Sequence, residues 1–115
     1  MRNIVPQLIN VLFKAWSIES STKWTEDNPA KGQCGVTALV VHDLLKGKIL
    51  KTPTHQGWHY YNYINGERYD FTASQFPQEM DYQDIVSNRE EAFSDTNQQQ
   101  YAYLKNSVEQ LLREG

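Results

Sequence analysis

The sequence predicts an α+β fold in which a central helix with a cysteine at its start packs on a small antiparallel sheet. Three observations support this fold class. Residues 4–16, 33–46 and 95–112 carry apolar side chains at helical spacing, and residues 58–72 alternate around an Asn-Gly pair. A length of 115 residues is typical of one domain, so we expect residues 1–115 to form a single unit.

Composition and charge exclude several classes of partner. The formal net charge is -3, and the basic residues are scattered along the chain instead of clustering. Nucleic acids and anionic membrane surfaces attract proteins through clustered positive charge, so neither is an expected partner. The hydrophobic content of 39% and the aromatic content of 12% are enough for one modest core.

The chain carries no pattern of a secreted protein. The apolar run near the N-terminus is interrupted by Pro6, Gln7, Asn10 and Lys14, and no small-residue cleavage site follows it. The single cysteine, Cys34, has no second cysteine in the chain to pair with. We therefore expect a reducing cytoplasm and a free thiol.

The helices follow from apolar spacing and from the residues at their ends. Residues 4–16 form the first helix, with Pro6 in its first turn, and the polar loop after it is held to the core by Trp24. A second helix runs from about Gln33 to Lys46 and ends at Gly47. The last helix is capped by Asp95, Thr96 or Asn97, and one face carries its apolar residues, Tyr101, Leu104, Val108, Leu111 and Leu112.

The hairpin has the strongest local pattern in the chain. Asn65 and Gly66 favour a two-residue type I′ turn, because both central positions need a positive φ. Ile64 then pairs with Glu67 and, in the same register, Tyr61 faces Asp70 and His59 faces Thr72. These last four side chains share one face of the sheet, which makes His59 and Asp70 diagonal neighbours. The opposite face, which we expect to pack on a helix, carries Trp58, Tyr60, Tyr69 and Phe71.

Two segments beside the hairpin have their own expectations. Residues 48–52 form a short strand that Pro53 closes. Between residues 77 and 94 two interpretations remain open. Tyr82, Ile85 and Val86 favour a strand, whereas Ser87 with Glu90 fits a helix capping box.

Together the central helix and the hairpin predict a Cys-His-Asp site. A cysteine at a helix start lies beside unpaired amides and the positive end of the dipole, which favour the nucleophilic thiolate. His59 suits the transfer of protons, and Asp70 suits the orientation of the imidazole. The developing oxyanion needs donors, for which the Cys34 amide and the Gln33 side chain are the candidates.

Each of these residues also has a structural interpretation. Cys34 fits a small buried hydrophobe, His59 a hydrogen-bonded histidine of the sheet, and Asp70 a surface partner of Arg68 or Lys48.

A metal site would need Cys34, His55 and His59, with His42 or Asp70 as a further ligand. No Cys-x-x-Cys or helical His-x-x-x-His spacing supports such a site, so we predict neither a metal nor a cofactor.

Four segments carry a family resemblance: AWSIESSTKW, NPAKGQCGVTALVVHDLLKGKIL, HYYNYINGERYDFTASQF, and SNREEAF followed by YAYLKNSVEQLL. They resemble the YunG-like family of small bacterial proteins over nearly the whole chain. This resemblance implies a bacterial origin but no particular reaction.

The order of a cysteine at a helix start, a histidine on a strand and an aspartate two residues before a threonine is also similar to papain-like and transglutaminase-like proteins. That similarity implies a minimal papain-like fold, with Cys34 as nucleophile, His59 as base and acid, and Asp70 as the orienting residue.

Two functional hypotheses follow. The first is a cytoplasmic cysteine hydrolase or acyltransferase that acts on an amide or thioester of a small molecule or peptide. The second is a binding or regulatory module without enzymatic activity, in which the same residues are kept for structure. The sequence does not identify the substrate, and it does not predict an oligomeric state.

Overall fold

The computed structural model describes residues 4–114 and has the α+β architecture that the sequence predicts. The helices are α1 Val5–Ala15, α2 Cys34–Leu45, α3 Arg89–Phe93 and α4 Gln98–Glu114. The strands are β1 Lys48–Thr54, β2 Gly57–Ile64, β3 Glu67–Tyr69 and β4 Ile85–Val86. They form one antiparallel sheet in the order β3-β2-β1-β4. Within residues 4–114 no helix is both long enough and apolar enough to cross a bilayer.

The core lies between α1, α2, α4 and the hairpin. Leu8 and Leu12 of α1 and Leu104 and Val108 of α4 are fully buried in it, which confirms both predicted helical stripes. The indole of Trp16 joins α1 to α2 by donating to the Thr37 hydroxyl at 2.9 Å. The side chains packed around this core include Trp24, as the sequence predicts.

The central helix α2 is buried over its first two turns, from Cys34 to Val41. A helix that is apolar on more than one side is covered by protein on more than one side, and here α2 contacts α3, α4 and β2. It ends as predicted with a left-handed residue at Gly47, where φ is 76°. Lys46 is left-handed as well, with φ at 63°.

The hairpin turn forms at the predicted place. Asn65 and Gly66 have φ of 52° and 82°, and Ile64 pairs with Glu67. The prediction that Pro53 closes β1 is wrong, because the strand continues to Thr54 with Pro53 opposite Trp58. A proline is tolerated on a free strand edge, and the two residues of β4 pair with Leu50 and Lys51, further back along β1.

The predicted register is correct as far as Tyr69, which pairs with Asn62, but the ladder stops there. Asp70 ends the strand by accepting hydrogen bonds from the amide and the hydroxyl of Thr72, at 3.2 and 3.3 Å through Oδ1. Such local side-chain bonds compete with the ladder for the backbone. The predicted pairs Tyr61 with Asp70 and His59 with Thr72 are therefore absent, and a 3-10 turn, Ala73–Gln75, follows instead.

The segment between residues 77 and 94 contains both structures that the sequence left open. Ile85–Val86 forms β4, and Arg89–Phe93 forms α3. The residue that caps α3 is Asn88, whose side chain accepts from the Glu91 amide at 2.8 Å. Asn97 caps α4 by accepting from the Gln100 amide at 2.8 Å, so Asp95 is left for another role.

The predicted aromatic face of the hairpin holds only in part. Tyr60 is buried beside α2, while Phe71 and Tyr69 pack with the main core. Trp58 differs, because 47% of its surface is exposed. Its ring lies instead beneath the ammonium group of Lys51, 4.3 Å from the ring centre.

Candidate functional site

Cys34 and His59 line one small cavity at the start of α2. The cavity has a volume of about 40 Å³, which holds a few water molecules but no acyl chain. Asp95 and Gln75 contribute to its wall, although neither belongs to the predicted triad. The remaining lining residues are Lys23, Lys31, Gly32, Thr54, Gln56, Trp58 and Phe76.

His59 is held by Asp70, as predicted, although not through the predicted strand pairing. The two atoms that meet are His59 Nε2 and Asp70 Oδ2, at 2.7 Å, and the side chains are only 1% and 5% exposed. Tyr82 donates its hydroxyl to the same oxygen at 2.7 Å. The two Thr72 bonds fill the other oxygen, so Asp70 is fixed from both sides.

This arrangement sets the tautomer of the histidine. A carboxylate only accepts hydrogen bonds, so His59 donates through Nε2 and keeps its lone pair on Nδ1. His59 Nδ1 is buried and has no hydrogen-bond partner among the described residues. Because a buried nitrogen without a partner is unfavourable, it is suited to accept a proton from a group that enters the cavity.

Cys34 is held by Asp95. The thiol donates to Asp95 Oδ2 at 3.4 Å, and the same oxygen accepts from the Gly35 amide at 3.1 Å. The carboxylate thus sits on the start of α2, where unpaired amides attract anions. Gly35 makes this approach feasible, because a Cβ there would lie 2.6 Å from Asp95 Oδ2 and 2.9 Å from the Ala92 carbonyl oxygen.

The electrostatics at Cys34 oppose the expectation of an activated thiolate. Burial raises the pKa of the Cys34 thiol well above its ordinary value, and the Asp95 charge raises this pKa further. The Tyr60 backbone amide lowers the pKa, but its effect is smaller. Asp95 is exposed as a residue, yet desolvation of its carboxyl group raises its pKa too. In this conformation Cys34 is therefore a neutral thiol, because desolvation and Asp95 outweigh the helix start.

The structure does not bring Gln33 into the cavity. Its side chain is fully buried, and its Nε2 points to the Ser17 carbonyl oxygen at 3.5 Å. Because Gln33 directly precedes Cys34, the turn into α2 directs the two side chains to different places. The Cys34 amide, as the first amide of the helix, keeps no acceptor within it.

The structure also bears on the alternative interpretations, a surface ion pair of Asp70 and a metal site. Arg68 pairs with Asp84, at 2.6 Å, and leaves Asp70 to His59. His42 lies beside Arg89, with Nδ1 3.1 Å from Arg89 Nη1. In the part of the chain that the structure describes, no three His, Cys, Asp or Glu side chains are arranged to hold a metal ion.

A larger groove adjoins the cavity. Its volume is about 520 Å³, within the range of pockets that bind small molecules. Three residues, Thr54, Gln56 and Phe76, line both spaces. The ring of Phe76 also packs edge-on against His59, with 4.9 Å between the ring centres. The groove is further lined by Pro53, His55, Pro77, Gln78, Glu79, Met80 and Asp81.

Sequence reasoning missed three residues of this site. Asp95 is a candidate cap of α4 in the sequence, and only the packing of the α3–α4 connection against α2 brings it to Cys34. Tyr82 reads as a strand residue but donates to Asp70. Gln75 follows the hairpin in a 3-10 turn and carries no pattern that distinguishes it from the chain's other glutamines.

The fold and the cavity define a small α+β protein in which a buried cysteine shares a cavity with a histidine held by a carboxylate. A family model described as YunG protein matches residues 5–113. The chain therefore belongs to the YunG family, which confirms the resemblance seen in the sequence. It is 55% identical over 95 residues to a Bacillus subtilis (strain 168) protein named "Uncharacterized protein YunG", and the match covers 83% of each chain.

No solved structure matches the chain significantly. The similarity to papain-like and transglutaminase-like proteins therefore has no structural match behind it.

Proposed function

We propose that the protein is a cysteine hydrolase or acyltransferase that acts on an amide or thioester. The observation that carries this proposal is the state of His59. Its Nε2 is held by Asp70, and its Nδ1 is buried without a hydrogen-bond partner among the described residues. His59 and Cys34 line the same cavity. A histidine oriented by a carboxylate and left with one free nitrogen near a thiol has the parts of a general base and acid.

The reaction would proceed in two balanced stages. As the sulfur of Cys34 attacks the acyl carbon, the thiol proton passes to His59 Nδ1 and the carbonyl electron pair moves onto oxygen. The oxyanion then collapses, the bond to the leaving amine or thiol breaks, and His59 returns the proton to that leaving group. Water or an acceptor amine or thiol attacks the thioester in the second stage, again through His59, and frees Cys34.

Proton transfer within this step also fits the raised thiol pKa. A neutral thiol needs a base at the moment of attack, so His59 would act in the transition state instead of forming an ion pair beforehand. Asp95 would have to release the sulfur first, because its hydrogen bond occupies the thiol proton.

The substrate would occupy the groove. The cavity of about 40 Å³ has room only for the reacting group, whereas the adjoining groove of about 520 Å³ has room for a small molecule or a short peptide. Phe76 and Gln56 line both spaces, so a substrate in the groove would lie against them with its acyl group directed to the cavity.

A distant papain-like relationship is part of this proposal. It is supported by the chain order of a cysteine on the first turn of α2, a histidine on β2 and an aspartate just after β3. The two nitrogens of His59 also support this relationship. Asp70 holds Nε2, so Nδ1 is the nitrogen that remains for Cys34.

One observation favours the second candidate, a binding or regulatory module without catalysis. Burial and the hydrogen bond to Asp95 raise the pKa of the Cys34 thiol, which disfavours the reactive thiolate. In such a module the His59–Asp70 pair would serve the packing of the 3-10 turn against β2.

Mass spectrometry after exposure to acyl thioesters separates the two candidates. The enzyme hypothesis predicts that the intact protein gains one acyl group on Cys34, that this group is lost again on incubation in buffer, and that Cys34→Ala gains none. A panel of acetyl, aminoacyl and short peptidyl thioesters also reports the substrate class. If no thioester acylates Cys34 faster than it acylates a free cysteine peptide, the module hypothesis stands and the enzyme hypothesis fails.

A further inference from the structure

Within residues 4–114, a second buried polar atom without a hydrogen-bond partner lies on a residue of the cavity wall. It is Gln75 Nε2, the amide nitrogen of a side chain that lines the cavity together with Cys34 and His59. A buried amide donor without an acceptor is unfavourable, and such groups in native proteins call for an explanation. An acceptor that is present only during the reaction would supply one.

The orientation of the Gln75 amide is set by its neighbour. The Gly32 backbone amide donates to Gln75 Oε1 at 3.4 Å. A backbone N–H can only donate, so the oxygen must face Gly32 and the NH₂ group must face the other way. The backbone carbonyl oxygen of Gln75 accepts a hydrogen bond from the Asn28 side chain at 3.1 Å. Gln75 is therefore tied at two points to the loop that leads into α2.

The other donors of the wall are less suited to a reacting oxygen. Lys23, Lys31 and Gln56 are exposed, so water already satisfies their donor groups. Gln33, the donor that the sequence predicts, is directed to Ser17 and does not line the cavity. Only buried donors fixed beforehand stabilise a developing charge strongly, because they need no reorganisation during the reaction.

We infer that Gln75 is the side-chain donor to the oxyanion, acting together with the Cys34 backbone amide. This inference rests on the proposed function, since an oxyanion forms only if Cys34 attacks an acyl carbon. Gln75 Nε2 would donate to the former carbonyl oxygen while the bond between sulfur and carbon forms. Gln75 then has the role in catalysis that the sequence gives to Gln33.

Two reagents separate this role from a structural one. Iodoacetamide alkylates a thiol by displacement of iodide and forms no oxyanion, whereas p-nitrophenyl acetate is attacked at its carbonyl carbon and forms one. For Gln75→Leu we expect acylation of Cys34 by p-nitrophenyl acetate to slow about 10²–10³-fold, the loss typical of a removed oxyanion donor. Alkylation by iodoacetamide should keep its wild-type rate. Gln110→Leu, an exposed glutamine of α4, is the matched control and should change neither rate.

A second variant guards against misfolding of the first. Gln75→Glu keeps an oxygen for the Gly32 amide but replaces the NH₂ donor, so it should lose acylation as Gln75→Leu does and retain a wild-type melting temperature. The inference is overturned if either folded variant acylates at the wild-type rate, or if both reagents slow equally in Gln75→Leu. If the wild-type protein itself shows no acylation of Cys34, the proposed function fails, which is a different result from a wild-type rate in the Gln75 variants.

Discussion

At the scale of single residues, the state of Cys34 depends on which neighbour holds its proton. In the structure that neighbour is Asp95, at 3.4 Å, and no hydrogen bond joins the thiol to His59 within the described residues. The Asp95 charge raises the pKa of Cys34, so removal of this charge must lower it. Asp95 thus opposes the thiolate that the start of α2 would otherwise favour.

Asp95→Asn tests this effect directly. Asparagine keeps an oxygen for the Gly35 amide but carries no charge, so the pKa of Cys34 should fall. Below the pKa the thiolate fraction grows tenfold for each pKa unit removed, and we expect alkylation by iodoacetamide at pH 7 to quicken about tenfold. Asp27→Asn, an exposed aspartate outside the cavity, serves as the control and should leave the rate unchanged. An unchanged rate in Asp95→Asn would show that Asp95 does not control the thiol.

At the scale of elements, the approach of the α3–α4 connection to the start of α2 depends on Gly35. In most helices an alanine is favoured over a glycine by about 1 kcal/mol. Here the added methyl group would lie 2.6 Å from Asp95 Oδ2 and 2.9 Å from the Ala92 carbonyl oxygen. The helical preference therefore predicts that Gly35→Ala raises the free energy of unfolding, whereas the close packing predicts that it lowers this free energy.

We expect packing to prevail in Gly35→Ala. Overfilling of a close contact is unfavourable by about 1–3 kcal/mol, which exceeds the helical preference, so the free energy of unfolding in urea should fall. Displacement of Asp95 should also quicken alkylation of Cys34. A Gly35→Ala protein that is more stable than the wild type would contradict the close approach described here.

The elements also show how far sequence reasoning reaches. The extents of α1, α2 and α4 and the turn at Asn65-Gly66 are local properties, set by apolar spacing and by residues that tolerate a positive φ, so the sequence predicts them. The end of β3 is also local, but it depends on the bonds that Asp70 forms with Thr72 instead of continuing the ladder. The sequence predicts the His59–Asp70 contact, and the structure contains it. The strand pairing from which it is predicted ends at Tyr69, one residue before Asp70, so the contact forms without that pairing.

The remainder of the site is tertiary. Asp95 is 61 positions from Cys34, and Gln75 is 43 positions from Gly32. Contacts of that separation depend on how the elements pack, and neither residue has a spacing that marks it. Gln33 is the opposite case, a residue close in sequence but not in the site. It directly precedes Cys34, yet the turn into α2 directs its side chain to Ser17.

At the scale of the whole molecule, one ion pair joins the hairpin to the segment before β4. Arg68 donates to both oxygens of Asp84, at 2.9 and 2.6 Å, and the Tyr61 hydroxyl donates to Asp84 at 2.8 Å. These bonds lower the pKa of Asp84 below its ordinary value of 3.8. A lowered pKa in the folded state means that the charged form stabilises the fold above pH 3.8, and that this contribution disappears as the pH falls through the folded-state pKa.

Asp84→Asn should therefore lower stability only where Asp84 is charged. Asparagine tolerates the φ of 52° at this position, so the backbone is not strained. The pair is largely exposed, and we expect a loss of no more than about 1 kcal/mol at pH 7. The loss should shrink to nothing in acid, well below pH 3.8, as urea unfolding at both pH values can measure. An equal loss at both pH values would mean that the charge is irrelevant.

The central claim is that His59 takes the proton of Cys34 during attack on an acyl carbon. The most direct test compares the single-turnover rate of Cys34 acylation by p-nitrophenyl acetate at pH 7 in the wild type, in His59→Gln, which keeps a donor for Asp70, and in the control His42→Gln. A lost general base is typically worth 10²–10⁴-fold, so we predict a fall of that order in His59→Gln alone, with the fold intact by its melting temperature. Equal acylation rates in the wild type and folded His59→Gln would contradict the claim.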